Sequence, residues 1–326
     1  MRVLGLETSC DETSAAIVED GAVLAELTWT QDIHETYGGV VPELAARAHL
    51  EKLAPTVAAV LERAEIARPD AVAATAGPGL IGAVLVGLSF AKALAMGWSV
   101  PFVAVNHLEG HLLSARMHTP SPHFPFLALV VSGGHTCLYD CRGVGDYEVV
   151  ANTVDDAAGE AFDKVGRMMG LGYPGGPVID RMAQGGDPSA FPLPRPRPRH
   201  AGPHDWSFSG LKTAVRQTIQ RDPELSVPDL CASFQHAVVD CLLDRVMAVA
   251  TERGRTRVVL GGGVAANQGL RQALDATALE VFVPPIRHCT DNAAMIAYAG
   301  WVRAVRGQDD GLAAGARAGW PVEELT

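Results

Sequence analysis

The chain has 326 residues, of which 48 % are hydrophobic and 19 % charged, a composition that fills two globular cores and excludes a mainly disordered protein. It carries 26 Lys and Arg against 37 Asp and Glu, a net charge of -11, so it lacks the overall positive charge of a free-standing nucleic-acid binder. A polyanionic ligand would have to meet a local basic surface or one shared with a partner.

Cysteine usage and apolar stretches indicate the compartment. The six cysteines are too sparse for a disulfide scaffold and none forms a C-x-x-C pair, which favours a reducing, cytoplasmic setting. Residues 1–7 reach an acidic residue before an apolar segment long enough for a secretory signal. The longest apolar stretch, residues 80–98, contains Lys92 and several glycines. We interpret it as a core helix rather than a membrane span, because a lysine inside hydrocarbon is costly.

Two similar strand-turn-strand patterns occur along the chain. Apolar residues 3–6 and 15–18 flank a polar turn, and apolar residues 126–131 and 137–139 flank a second turn of small and hydroxylated residues. Each pattern opens a run of alternating strands and helices. We therefore predict an α/β protein of two related halves that face each other across a cleft.

The proline-rich segment 120–125 marks the predicted boundary between the halves, because three prolines in six residues cannot lie inside a regular element. We assign residues 1–122 to the first half and residues 123–301 to the second. The C-terminal residues 302–326 are expected to pack back on the first half.

A second irregular segment spans residues 185–205. Its Arg-Pro repeat, residues 195–200, is interpreted either as a solvated loop or as a contact for a phosphate backbone. Downstream, apolar spacing predicts a helix over 228–250, a buried strand over 258–260 and an Ala-rich helix over 292–305.

His107 and His111 are four residues apart, which places both imidazoles on one face of a helix where they can bind one metal ion. Glu109 between them does not form the H-E-x-x-H arrangement of zinc proteases. Asp291 is the candidate third ligand, since two histidines and one carboxylate leave open positions for substrate oxygens on iron or zinc. Spacing alone also allows two packed histidines, with Asp291 as a helix cap.

Glycine-rich turns predict close approach of the backbone to a nucleotide. Residues 261–267 follow a predicted strand and precede a helical pattern, and the N–H groups of residues 132–134 could hold an anion. Residues 172–176 offer a further glycine-rich loop, and Asp163 and Asp180 could hold ribose or amino groups. Tight connections and structural carboxylates are the alternatives.

Asp11 and Glu12 lie in the first predicted hairpin turn. They are interpreted either as exposed loop residues or as carboxylates aimed into the cleft. The chain has no G-x-S-x-G elbow and no cysteine in an evident nucleophile setting, so a covalent acyl-enzyme is not favoured.

Taken together and in this order, these segments resemble the TsaD family, formerly called Gcp and long described as O-sialoglycoprotein endopeptidase. Its members are tRNA threonylcarbamoyladenosine transferases. The segments that carry the resemblance span nearly the whole chain and are residues 5–13, 34–43, 106–111, 131–136, 159–164, 173–177, 207–212, 261–267 and 289–292. The chain departs from the family pattern at residues 46–49, where Ser-Arg-Asp-His is common, and in the Arg-Pro repeat.

The resemblance implies an actin-like fold of the sugar kinase and Hsp70 type (ASKHA), with two halves around a central nucleotide-binding cleft. It implies one divalent metal ion per subunit on His107, His111 and Asp291, with Fe(II) favoured over Zn(II). The nucleotide-binding positions that carry over are Val130, Val131, Ser132, Gly133, Gly134, Asp163, Gly176, Asp180 and Asn267.

The implied reaction moves the threonylcarbamoyl group from threonylcarbamoyl-AMP to N6 of adenine 37 in tRNAs that read ANN codons. The ion would position and polarise the substrate oxygens, AMP would leave, and Asp11 or Glu12 is the candidate base. TsaB-like and TsaE-like proteins are the implied partners, a homodimer is left open, and no membrane partner is expected. The alternatives are a metallopeptidase, an inactive structural subunit and a sugar kinase on the same fold.

Overall fold

The computed structural model describes residues 1–37, 39–198 and 202–325, and the chain divides into two compact units. Unit 1 consists of Met1–Ser121 and Asp291–Thr326, and unit 2 consists of Pro122–Thr290. Each unit contains one five-stranded sheet within the described residues.

The sheet of unit 1 combines an antiparallel meander with two parallel strands. Its strands are β1 (Arg2–Glu7), β2 (Glu12–Glu19), β3 (Ala22–Thr30), β4 (Ala71–Gly77) and β5 (Phe102–Asn106). Their order is β3-β2-β1-β4-β5, with β1, β2 and β3 antiparallel and with β4 and β5 parallel to β1. The helices of this unit are α1 (Pro42–Arg63), α2 (Ile81–Trp98), α3 (His107–Leu113) and, after unit 2, α9 (Ala293–Ala304).

Unit 2 repeats this topology. Its strands are β6 (Phe126–Val131), β7 (Thr136–Gly143), β8 (Asp146–Asn152), β9 (Arg257–Gly261) and β10 (Glu280–Phe282). The order β10-β9-β6-β7-β8 again places three antiparallel strands beside two parallel ones. The helices of this unit are α4 (Ala158–Met168), α5 (Gly175–Ala183), α6 (Ser209–Arg221), α7 (Val227–Arg253) and α8 (Gln268–Asp275). The prediction of two related α/β halves is confirmed.

The alternation of side chains along β1 assigns each face of the unit 1 sheet to different helices. Leu4 and Leu6 lie in the core under α1 and α2. Gly5 lies on the other face, where a Cβ atom would come within 2.4 Å of the backbone nitrogen of Ala297 in α9. Glu7 shares the face of Gly5, so the end of β1 presents its carboxylate on the side that α9 covers.

The position of α9 differs from the predicted division of the chain. A Cβ atom on Gly300 would lie 2.3 Å from the Cβ of Ala73, so small residues bring this helix directly against β4. Residues 291–301 therefore belong to unit 1, whereas the sequence analysis assigned them to the second half. The apolar pattern of α9 predicts burial but does not specify which of two similar sheets buries it.

Helix α2 is a core helix on one face only. Ala83, Leu88 and Ala91 pack toward the sheet, whereas Leu85 and Met96 are 47 % and 65 % exposed. By length and composition this helix could also cross a membrane, and a third of its most apolar window is buried.

The described part of the Arg-Pro repeat is held by α7. The guanidinium of Arg195 donates to Asp240 at 2.6 and 3.0 Å, and that of Arg197 donates to Asp244 at 2.9 Å. These contacts favour the interpretation as a surface loop, because both arginines already have carboxylate partners. Residues 199 and 200 lie outside the described residues.

Candidate metal centre and nucleotide-binding edge

Helix α3 starts directly at the end of β5, and this connection places both histidines. The side-chain oxygen of Asn106 accepts from the backbone N–H groups of Leu108 and Glu109 at 2.9 and 3.4 Å, which caps the helix. His107 and His111 follow on one face of this buried helix, 5 % and 2 % exposed. The predicted helical placement is confirmed.

The two imidazoles and the carboxylate of Asp291 come together within unit 1. Asp291 Oδ1 lies 3.1 Å from His111 Nε2 and 3.5 Å from His107 Nε2. Donor atoms bound to one ion at about 2.1 Å and separated by about 90–110° lie about 3.0–3.4 Å apart. The two carboxylate–imidazole distances are close to this range, and the three ligand atoms all lie within 4.8 Å of one another, so the cluster is a candidate site for one divalent cation.

Asp291 is not the cap of the helix that follows it. The side chain of Asn292 caps α9 by accepting from the backbone N–H of Met295 at 2.9 Å. The carboxylate of Asp291 is thereby left for the two histidines, and the alternative that it serves as a helix cap is wrong.

Glu7 orients His107. Its Oε2 accepts from the hydroxyl of Thr75 at 2.6 Å and lies 2.9 Å from His107 Nδ1, so the ring donates from Nδ1 and presents Nε2 to the cluster. Burial alone would lower the pKa of His107, but the charges of Asp291 and Glu7 raise that pKa well above its usual value. Burial opposes ionisation of Asp291, yet the two imidazoles hold its pKa well below its usual range.

The ring nitrogen of His111 that does not contact Asp291 has no partner in the described part of the chain. His111 Nδ1 is buried and has no hydrogen-bond partner among the described residues. A buried polar atom without a partner is costly and therefore uncommon. His107 and His111 also stack edge to face, with ring centroids 4.8 Å apart, an arrangement that keeps both rings turned toward Asp291.

Glu109 cannot serve the metallopeptidase alternative. Its carboxylate is fully buried and accepts two hydrogen bonds from the guanidinium of Arg303, at 2.7 and 2.8 Å. On a helix it lies about 160° from the direction of each histidine. The base that a peptidase would require beside a metal-bound water is therefore not supplied by this glutamate.

Asp11 ends the turn after β1 and Glu12 begins β2, and His49 contacts the chain on both sides of them. The Nε2 of His49 contacts the carbonyl oxygen of Cys10 at 3.0 Å, and its Nδ1 contacts the hydroxyl of Thr13 at 2.8 Å. Burial lowers the pKa of His49, which favours the neutral ring that donates at one nitrogen and accepts at the other. The backbone of Cys10 and the side chain of Thr13, on either side of the two carboxylates, are thus both held by His49.

Glu12 is only partly exposed and has an unusual acidity. Burial first, then the charges of Asp291 and Asp11, raise its pKa well above the usual value. A carboxyl group in that state exchanges a proton nearer to neutral pH than an ordinary glutamate does.

The turn after β6 differs from the predicted anion site. The N–H groups of Gly134 and His135 donate to the side-chain oxygen of Ser132, at 3.3 and 3.1 Å, and the N–H of Ser132 donates to the carbonyl of His135 at 2.8 Å. An anion would have to replace the serine hydroxyl on these donors. Gly133 and Gly134 are exposed, and a Cβ atom on either would meet nothing within 4 Å, so the turn is open to a ligand.

At the carboxyl edge of the unit 2 sheet, neighbouring backbone segments pack closely against two glycines. Gly262 has φ +82° at the end of β9, and a Cβ atom there would lie 2.4 Å from the carbonyl oxygen of Val131. A Cβ atom on Gly159, at the start of α4, would lie 2.4 Å from the carbonyl oxygen of Ser132. Ligands of α/β sheets bind at such carboxyl edges.

The remaining predicted nucleotide positions lie within α4, within α5 and at the start of α8. Asp163 accepts from the N–H of Gly175 at 2.8 Å, and its pKa is raised by burial, against the lowering effect of the N–H groups of Gly175 and Gly176. Asp180 accepts from the N–H of Gln268 at 3.2 Å. Asn267 caps α8 and donates to Gln235 at 2.8 Å. These side chains have the structural partners that the sequence analysis gave as the alternative, and ribose binding at these positions stays a prediction.

Comparison with known proteins identifies the family. The family model for TsaD, tRNA N6-adenosine threonylcarbamoyltransferase, matches residues 22–298. A tRNA N6-adenosine threonylcarbamoyltransferase of Brucella anthropi is 53 % identical over 347 aligned positions, which cover 99 % of this chain and 96 % of the relative. The chain belongs to the TsaD family. It is therefore an acyltransferase that modifies tRNA by forming threonylcarbamoyladenosine, and the peptidase and sugar kinase alternatives are set aside.

Solved structures of distant proteins share the fold. Full-length HypF matches with a TM-score of 0.63 at 13 % identity, over 95 % of this chain and 47 % of HypF. A ROK family glucokinase from Streptomyces griseus matches with a TM-score of 0.51 at 11 % identity, over 93 % of this chain and 99 % of the glucokinase. The predicted actin-like, sugar kinase-like fold is confirmed.

Proposed function

We propose that the chain moves the threonylcarbamoyl group from threonylcarbamoyl-AMP to N6 of adenine 37 in tRNAs that read ANN codons. The main observation behind this proposal is that the side chains of His107, His111 and Asp291 come together. Two imidazoles and one carboxylate form a donor set typical of Fe(II) with open positions, so Fe(II) is favoured over Zn(II). A divalent ion held there supplies positive charge that stabilises negative charge on carbonyl and phosphate oxygens.

The proposed step is direct acyl transfer. The N6 atom forms a bond to the carbamoyl carbon, the bond between that carbon and the phosphate oxygen breaks, and AMP leaves. N6 loses a proton in the process, and Glu12, assisted by Asp11, is the proposed acceptor. Burial and the neighbouring Asp11 raise the pKa of Cys10, which argues against a thiolate acyl carrier at this turn.

The edge of unit 2 is proposed to hold the AMP portion of the donor. The turn Ser132–Gly134 would bind the phosphate through backbone N–H groups, and Val130 and Val131 lead into this turn. Asp163, Asp180 and Asn267 would bind the adenosine, and Gly176 would let the backbone approach it. The cytoplasm, where tRNA substrate is present, is the proposed location.

Reconstitution tests this activity. The metal-loaded protein is mixed with threonylcarbamoyl-AMP and unmodified tRNA, with and without TsaB-like and TsaE-like proteins, and the nucleosides are analysed by mass spectrometry. The expected product is threonylcarbamoyladenosine, absent when adenine 37 is replaced by guanine. No product in any mixture that contains stoichiometric metal would contradict the proposal and favour the inactive structural subunit.

The pH profile tests Glu12 as the proton acceptor. Activity should rise with pH as Glu12 loses its proton, because a base acts in its deprotonated form and burial, the largest cause, raises the pKa of this carboxyl group. Glu12→Gln should lower the rate about 10²-fold or more and remove the rise. Asp11→Asn should move the rise to lower pH, since the charge of Asp11 contributes to the raised pKa. An unchanged profile in Glu12→Gln would exclude Glu12 as the base.

A partner is proposed to cover the exposed face of α1 and α2. Leu50, Ile81, Leu85 and Met96 are between 46 % and 68 % exposed on these two adjacent helices, and the family resemblance implies a TsaB-like protein. Leu85→Glu should abolish stimulation by that protein without changing the melting temperature of the isolated chain by more than a few degrees. Leu24→Glu, on β3 with 43 % exposure of the leucine, is the matched control and should leave stimulation intact. Full stimulation of Leu85→Glu would show that the partner binds elsewhere.

A further inference from the structure

A buried ion pair joins the helix that carries both histidines to the helix that follows Asp291. Arg303 near the end of α9 donates from Nε and Nη2 to the two carboxylate oxygens of Glu109 in α3, at 2.7 and 2.8 Å. The glutamate side chain is fully buried and the arginine side chain is 9 % exposed. Two parallel hydrogen bonds between a guanidinium and a carboxylate fix relative orientation as well as distance.

The pair is connected to the strand that leads into α3. Arg303 Nη1 donates to the side-chain oxygen of Gln308 at 3.0 Å, and the amide nitrogen of Gln308 donates to Asp310 at 3.1 Å. Asp310 in turn accepts from the backbone N–H of Ala104 in β5 at 2.8 Å. A continuous set of polar contacts thus runs from α9 through the C-terminal segment to β5, whose last residue caps α3.

Because of helical geometry, the position of the Glu109 side chain determines the direction in which the two histidines point. Successive residues are about 100° apart around a helix, so His107 and His111 point within about 40° of each other and Glu109 points to the opposite side. Fixing Glu109 on Arg303 therefore fixes the rotation of α3 about its own axis. A small rotation would swing both imidazoles away from Asp291.

The apolar packing at Gly110 is less directional than this ion pair. The contact of α3 with α9 at Gly110 is made by Met295 and Ile296, flexible apolar side chains that a Cβ atom on Gly110 would approach to 3.0 Å. Apolar contacts of this kind hold the two helices together, but they restrain the rotation of α3 about its axis only weakly. Buried ion pairs often add little net stability compared with apolar residues of similar volume, so their presence is better explained by specificity of arrangement.

We propose that Glu109 and Arg303 are positioning residues that set the geometry of the metal centre without contacting the metal. The inference rests on the proposed metal site on His107, His111 and Asp291. It predicts that disrupting the pair weakens metal binding by more than it weakens folding, because the three donors lose their common point.

The test measures metal binding and folding separately. Binding of Co(II) to the full-length protein is followed by competition with a chelator and by the visible absorption spectrum of the bound ion, and unfolding of the metal-free protein is followed in urea. Glu109→Gln keeps the shape of the side chain. Arg303→Lys keeps the charge but loses the two parallel hydrogen bonds of the guanidinium. Each should weaken Co(II) binding about 10–100-fold, the effect of removing outer-shell partners of metal ligands, and should alter the spectrum.

A double variant separates positioning from a merely structural role. Replacing both residues by methionine, Glu109→Met with Arg303→Met, removes the buried charges together and should restore much of any lost resistance to urea. Metal binding should stay at least about tenfold weaker than in the wild type, since the directional restraint is absent. The matched control is Asp140→Asn, which breaks another buried carboxylate–guanidinium pair, with Arg255 in unit 2 at 2.7 and 2.8 Å, and should leave Co(II) affinity unchanged.

The outcomes distinguish this inference from the proposed site itself. If the wild type binds no Co(II), or binds it equally after His111→Ala, the metal site is wrong and this inference falls with it. If the wild type binds Co(II) at the three donors and a folded Glu109→Gln, Arg303→Lys or double variant binds it with wild-type affinity and spectrum, the positioning role alone is overturned.

Discussion

His111→Ala is expected to abolish both metal binding and transfer while leaving the fold in place. The imidazole supplies one of three donors, and its Nε2 lies 3.1 Å from Asp291. Removing an outer-shell partner of a metal ligand commonly costs 10–100-fold in affinity, so loss of a donor should cost more than about 100-fold. Loss of the charge that stabilises the transition state should lower the transfer rate by about 10²–10³-fold or more.

The control for this variant is another histidine with a carboxylate partner. His204 lies 2.8 Å from Glu252 in unit 2, and its side chain is 18 % exposed. His204→Ala should retain stoichiometric metal and normal transfer. Metal content by mass spectrometry and formation of the modified nucleoside are measured on both proteins. Wild-type turnover by His111→Ala would remove the metal from the proposed mechanism.

Gly262→Ala is expected to disrupt nucleotide binding at the edge of unit 2. The residue has φ +82° and ψ 162°, a region that is essentially restricted to glycine and costs other residues about 1–3 kcal/mol, and the new methyl group would lie 2.4 Å from the carbonyl oxygen of Val131. Because that atom is backbone, β6 or the turn after β9 must shift. We expect the free energy of unfolding to fall by more than about 2 kcal/mol and the affinity for AMP to fall more than tenfold.

Gly254→Ala separates the two causes. This glycine ends α7 with φ +62°, and a Cβ atom there would meet nothing within 4 Å, so only the backbone strain applies. Its unfolding free energy should fall by about 1–2 kcal/mol and its AMP affinity should be unchanged. The measurements are urea unfolding and calorimetric titration with AMP. Equal AMP affinities of Gly262→Ala and the wild type would remove this turn from the proposed nucleotide site.

Local sequence patterns predicted the elements that position the site. The strand-turn-strand segments, the helix at residues 228–250 and the strand at 258–260 are confirmed as β1 with β2, β6 with β7, α7 and β9. The two histidines could be predicted as a pair because their spacing and the helix that carries them are both local. Asp291 could be proposed as a third ligand from its chemistry, but its meeting with the histidines was implied only by the family resemblance, since 180 residues separate it from His111.

Residues that orient the ligands escaped the sequence analysis because their partners are distant. Glu7 lay within a segment that carried the resemblance, but its hydrogen bond to His107 depends on the pairing of β1, β4 and β5. His49 and Arg303 gave no local signal, since each contacts its partner across a long stretch of chain. An acidic residue that ends a buried strand, as Glu7 does, is the one sequence signal that could have been used.

The hydrogen bonding of the turn after β6 could not be predicted from its composition. Glycine and serine composition predicted an open turn, and its glycines are exposed. The hydroxyl of Ser132 nevertheless accepts from one of the expected donors, the N–H of Gly134, and from the N–H of His135, a side-chain choice that composition does not determine.

The central claim is that two imidazoles and one carboxylate bind a single ion. Anomalous X-ray diffraction from crystals of the Fe(II)-loaded protein, collected at the iron absorption edge, tests it most directly. We expect one strong peak per chain, about 2.0–2.2 Å from a nitrogen of His107, a nitrogen of His111 and an oxygen of Asp291. A peak bound by other residues, or no peak in protein that contains stoichiometric iron, would contradict it.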